Sequence, residues 1–222
     1  MPDVNTVHPL PLEGAAEPTK RTIAEGWLYP VFFLSGFAAL LYQVIWQRTL
    51  LTIYGTNVES VAIVVTAFLL GLGLGSLGGG AVSKVPGCSP LFLFCLAELS
   101  IGCFGLASLS LFHWIGRFTL RLSGLGTSLT ALLLVLFPTV FMGGTLPLLT
   151  AHAVKGNGNV GRSVAALYFV NTLGSALASL LAALFLLRML GLQGTTWIAA
   201  GLNLLAAGVS AFFLGGKWGG SR

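Results

Sequence analysis

Polar side chains interrupt the apolar runs of this chain at a few positions, and those positions are where chemistry is possible. The densest group is Tyr42-Gln43-Val44-Ile45-Trp46-Gln47-Arg48, inside an otherwise apolar run from Leu28 to Ile53. Glu98, Thr145, Asn171 and Asn203 stand singly inside later runs. A charged side chain near a bilayer centre costs about 3 kcal/mol on insertion scales, so such groups need partners on other helices or a wet cavity. Arg48 is suited to an anionic group, and Glu98 to a cationic one such as an amine. Tyr42 and Trp46 offer ring faces for cation–π contact. Gln43, Thr145 and Asn171 add neutral hydrogen-bonding groups. Tyr42, Gln43, Trp46, Arg48, Glu98, Thr145 and Asn171 are therefore the candidate cavity lining. Other readings stay open: Arg48 can snorkel to an interface, and Asn171 and Asn203 can be interhelical hydrogen bonds of about 0.6 kcal/mol each.

Other motifs carry less. Two segments spell GxGxxG, one from Gly73 to Gly78, with Glu98 at the spacing of a ribose-binding acid, and one from Gly156 to Gly161. The fingerprint works only between a strand and a helix, and neither segment has that setting. The second lies in a turn, where Lys155, Arg162 and a helix N-terminus can attract an anion; a cytoplasmic loop is the plainer reading. Cys88, Cys95 and Cys103 form no CxxC pair and have no histidine at ligand spacing. There is no Ser/His/Asp or Cys/His constellation, no zinc spacing and no P-loop. The soluble stretches are too short for a catalytic domain. No catalytic residue, cofactor or metal is expected.

The elements that position these residues follow from composition. Of 222 residues, 55% are hydrophobic and 8% charged, with mean hydropathy +0.92. Soluble domains carry about 25% charged residues, so the chain belongs in a lipid bilayer. Its net charge of +5 comes from scattered single basic residues, which excludes a nucleic-acid stripe. Six spans are expected: Leu28–Ile53, Val58–Val82, Leu91–His113, Leu129–Ala151, Val164–Leu187 and Thr195–Leu214. Each has about the 20 residues that cross hydrocarbon as a helix. Residues 1–26 read as a disordered tail and 216–222 as a short second tail, flanking a membrane domain at 27–215. With both tails inside, the inner segments hold seven basic residues and the outer ones at most four, so both termini are expected in the cytoplasm.

Three local features refine this. His113–Leu125 is amphipathic and is expected to lie along the outer interface. Gly71, Gly75 and Gly79 repeat at four residues, as do Gly174, Ala178 and Ala182, and both strips let helices approach closely. The two strips hint at a pair of equivalent three-helix units. Pro138, Gly143, Gly144 and Pro147 are expected to break the fourth span, either as a binding feature or as a packing kink.

At these residues the chain resembles a known family. The run from Gly36 to Arg48 is similar to the first helix of membrane-bound, spermidine-synthase-like proteins, and Ala67–Ser76, Gly144–Pro147 and Tyr168–Gly174 continue the likeness in order. The resemblance implies an all-α bundle of about six transmembrane helices, like half of a major-facilitator transporter, in an inner or plasma membrane. It also implies a membrane module for a small, polyamine-like solute. A half-transporter calls for a homodimer or a partner chain. The alternatives are a structural anchor, or the membrane component of an aminopropyltransferase whose catalytic domain is on another chain. Two departures matter. Gln43 stands where the family commonly has Glu. The aminopropyltransferase-like domain, with its decarboxylated S-adenosylmethionine loop, has no counterpart here, so no catalytic residue carries over.

Overall fold

The computed structural model describes residues 26–54, 57–119 and 124–216. Apart from Gly26 and Gly216, the expected tails lie outside the described residues. The helices are α1 Leu28–Tyr54, α2 Asn57–Val82, α3 Pro90–Thr119, α4 Gly124–Asn157, α5 Val160–Leu181 and α6 Leu187–Gly216, with a π-helical turn Ala182–Leu186 joining the last two. No strand occurs among the described residues. Each run of apolar residues becomes a helix because a backbone in lipid must satisfy its own polar groups. Pro30 and Pro90 sit in first turns, where the missing N–H costs nothing.

Five continuous helical segments are long and apolar enough to cross a membrane. The fifth, Val160–Gly215, is 56 residues long. Straight, it would reach about 84 Å, far beyond one bilayer. Gly191 resolves this: its φ of 64° and ψ of −170° leave helical geometry, and the chain turns back there. Contacts confirm the reversal. Asn171 donates to the Phe32 carbonyl and Ser175 to the Gly36 carbonyl, so α5 runs parallel to α1. Trp27 stacks on Phe213 with centroids 4.3 Å apart, so α6 runs against α1.

Three pairings hold the bundle. The α2–α4 seam is the tightest: Gly71, Gly75 and Gly79 face Thr139, Val140, Gly143, Gly144 and Pro147. A Cβ at Gly75 would collide with the Val140 carbonyl. The α1–α5 seam repeats the device, with Gly174 against Phe33 and Gly36 against Asn171. Ala178 and Ala182 are buried beyond it. The third pair, α3–α6, is antiparallel and carries Gly102 against Leu204 and Ala200. Exchanging α1–α3 with α4–α6 maps the first seam onto the second and the third onto itself.

Two expectations about local structure are corrected. The fourth span is not broken: α4 is helical through Pro138 and Pro147. Pro147 has no N–H for the Gly143 carbonyl, and Ser76 Oγ of α2 donates to it instead at 3.2 Å. The Thr139 hydroxyl lies within 3.0 Å of the Ala67 carbonyl, tying α4 to α2 near the other proline. Nor do the described residues of the expected His113–Leu125 segment form a separate surface helix. Residues His113–Thr119 extend α3 without interruption, because no glycine–proline break separates them from Phe112, and Leu125 already belongs to α4.

Candidate functional site

Glu98, Gly102, Gly105 and Leu109 recur at steps of four, three and four, which places them on one face of α3. That face turns inward, and all four residues are buried. Glu98 is completely enclosed, about 12 Å along the helix from Pro90. Each carboxylate oxygen accepts one hydrogen bond. Ser35 Oγ of α1 donates at 2.5 Å and Asn203 Nδ2 of α6 at 2.6 Å. Three helices thus meet at one carboxyl group. Both donors are neutral, so the triad contains no counter-charge for Glu98.

Beside this triad lies a packed aromatic cluster. Tyr42 is seven residues after Ser35, two turns along the same face of α1. Gly105 makes room for its phenol: a Cβ there would collide with Tyr42 Oη. Trp46 stacks on Tyr42 at 5.0 Å between centroids. Phe104 and Phe112 of α3 meet Trp46 edge-on, at 5.7 and 6.0 Å. Three polar atoms in this region are buried without a hydrogen-bond partner among the described residues: Tyr42 Oη, Trp46 Nε1 and Asn203 Oδ1. Buried polar atoms are seldom left so, because each forfeits about 1–3 kcal/mol of solvation. Two acceptor-capable oxygens and one carboxylate form a set suited to a compact, positively charged donor, with ring faces beside it.

The structure brings together Tyr42, Trp46 and Glu98 from the candidate lining. The other four lie elsewhere. Gln43 is half-buried, and Arg48 is exposed on the outer surface of α1. Thr145 is buried and donates to the Met142 carbonyl one turn back. Asn171 spends its amide on the α1–α5 seam. Ser35 and Gly105 join the site without having been singled out in the sequence. The signal for Ser35 was its seven-residue spacing from Tyr42; Gly105 had none, since its role is to leave space for a partner helix. Asn203, read as interhelical glue, does bond across helices, but its partner is the buried acid.

The remaining motifs are structural. Gly73 to Gly78 lies within α2, with Gly75 in the α4 seam. In the second glycine motif, Gly158 takes a φ of 69°, and Asn159 caps α5 by accepting from the Arg162 N–H at 3.0 Å. Cys95 Sγ lies 3.2 Å from the Ala207 carbonyl in the α3–α6 seam. Among the described residues, no group of three His, Cys, Asp or Glu can hold a metal ion. No family model matches the chain, and neither the characterised proteins nor the solved structures contain a match.

Proposed function

We propose that this chain is a multipass membrane module that binds a small cationic solute, with Glu98 as its counter-charge. The observation that carries the proposal is a fully enclosed carboxylate held only by neutral donors, beside unpartnered Tyr42 Oη and Asn203 Oδ1. A desolvated carboxylate costs several kcal/mol unless a positive charge or a proton neutralises it. An ammonium group meets that need and also donates to the unpartnered oxygens. The stacked Tyr42 and Trp46 rings would take the cation's flank. Resemblance to spermidine-synthase-like membrane domains favours a polyamine among the amines. The exchangeable pairing of α1–α3 with α4–α6, in opposite orientation, supports a half-transporter of major-facilitator type. On this reading a second copy or a partner membrane chain completes the path. The protein then sits in an inner or plasma membrane with both termini in the cytoplasm.

The test is thermal melting of the purified protein in detergent with spermidine, putrescine, amino acids and nucleosides. A ligand that binds only the folded state stabilises it by about 2.7 kcal/mol at a hundredfold excess over its Kd. Glu98→Gln keeps the hydrogen bonds, since Asn203 can rotate its amide to accept from the new one, but removes the charge. The expected result is a melting shift with amines, lost in Glu98→Gln. An unchanged shift in that variant, or none with any amine, removes the solute reading. A structural anchor is the second reading, favoured by the hydrogen bonds that Asn171 and Ser76 make across the helix seams.

A further inference from the structure

A second polar feature lies at the far end of the bundle. A cleft of about 420 Å³ is lined by Leu109, Ser110, His113 and Arg117 of α3 and by Leu192 and Gln193 of α6. Its centre on α3 is 15 residues beyond Glu98, or about 22 Å by helical rise, so the two places are distinct. Ser110, His113 and Arg117 fall at steps of three and four and share one face of α3. Gln193 reaches them because the chain reverses at Gly191, two residues earlier. Leu109 and Leu192 supply an apolar floor.

Among the described residues that line it, the cleft offers donors and no carboxylate. His113 Nδ1 is 2.7 Å from the Leu109 carbonyl, so that nitrogen carries the hydrogen and Nε2 is left for a ligand. Nε2 donates when the ring is charged and accepts from a P–OH when it is neutral. Arg117 Nε donates to the His113 carbonyl at 3.5 Å, which leaves its terminal fork available. The Ser110 hydroxyl and the Gln193 amide complete four groups from two helices. A carboxylate has two oxygens to satisfy them. A phosphate has three or four, and a guanidinium fork matches it in pairs.

We propose that this cleft binds a phosphate group, either of a phospholipid headgroup or of a soluble phosphate ester. Lipid and ester share the same oxygens, and the apolar floor suits the carbon skeleton that follows the phosphate in both. This site does not depend on the Glu98 centre.

The experiment is thermal melting of the full chain in a maltoside detergent, in phosphate-free buffer, with glycerol 3-phosphate and with dihexanoylphosphatidylglycerol. Arg117→Gln and His113→Gln are compared with Arg188→Gln, which lies outside the cleft. The expected result is a rise with at least one probe that Arg188→Gln keeps. Arg117→Gln should need about tenfold or more of the probe for the same rise. A rise with both probes assigns the phosphate itself; a rise with the phospholipid only assigns a headgroup. If Arg117→Gln does not fold, the same loss is read in His113→Gln. No rise with either probe, or an equal rise in the cleft variants, overturns the proposal.

Discussion

Glu98 is the residue on which the interior depends. Among the described residues its oxygens are the acceptors for the Ser35 hydroxyl and for Asn203 Nδ2, and all three side chains are buried. Glu98→Ala strands both donors, so a loss of about 2–4 kcal/mol is expected, from about 1–3 kcal/mol per stranded group less relaxation. Glu98→Gln should stay within about 1 kcal/mol of the parent. Denaturant or thermal unfolding in detergent measures both; equal losses in the two variants would mean that packing, not hydrogen bonding, holds the triad. Gly105 makes a second residue-scale case. Gly105→Ala places a methyl group on Tyr42 Oη and should destabilise by about 1–3 kcal/mol through overpacking. Tyr42→Phe in the same background should recover part of that loss, and no recovery would show that the clash lies elsewhere.

At the scale of the helix, the glycines of α2 divide into two kinds. Gly75 faces the Val140 carbonyl and the Gly143–Gly144 backbone, whereas a Cβ added at Gly73 would meet nothing within 4 Å. Gly75→Ala is therefore expected to force α2 and α4 apart and cost about 2 kcal/mol or more. Gly73→Ala should be neutral or gain up to about 1 kcal/mol from helix propensity. Melting temperatures of the two variants test this directly: similar losses would mean the seam is misplaced. Gly191 is the other element-scale position. Its φ of 64° with ψ of −170° is a conformation that essentially only glycine adopts, at a cost to other residues of about 1–3 kcal/mol. Gly191→Ala should lower stability by that amount and weaken the reversal between α5 and α6, visible as faster proteolysis between Leu190 and Thr195.

For the whole molecule, the pairings put Val82, Pro90, Asn157, Val160 and Gly216 at the same end as Leu28. Cys88 is exposed in the link between α2 and α3 at that end. With that end in the cytoplasm, a variant keeping Cys88 alone should resist a membrane-impermeant maleimide in intact cells and react once the membrane is opened. Labelling of intact cells would invert the orientation. Among described residues the basic side chains are nearly balanced between the ends, with Lys84, Lys155 and Arg162 at one and Arg48, Arg117 and Arg188 at the other. The expected bias rests on the charges of the two tails.

Much of the fold was legible in the order of residues. Apolar runs of sufficient length become helices in lipid whatever their neighbours, because the bilayer leaves the backbone no other partner. The glycine steps of α2 and α5 likewise announce close seams, since smoothness on one face is a local property of a helix. What sequence could not decide was which faces meet. Arg48 looked like a cavity residue from its depth in the run, yet its face points outward; depth is one-dimensional, and burial depends on rotation against partners. The prolines and glycines of α4 looked like a break until Ser76, 67 positions earlier, supplied the missing hydrogen bond. Ser35 and Asn203 are separated from Glu98 by 63 and 105 residues, and only the antiparallel return of α6 makes the three one site. Local chemistry determined the helices; the site exists because three of them converge on one acid.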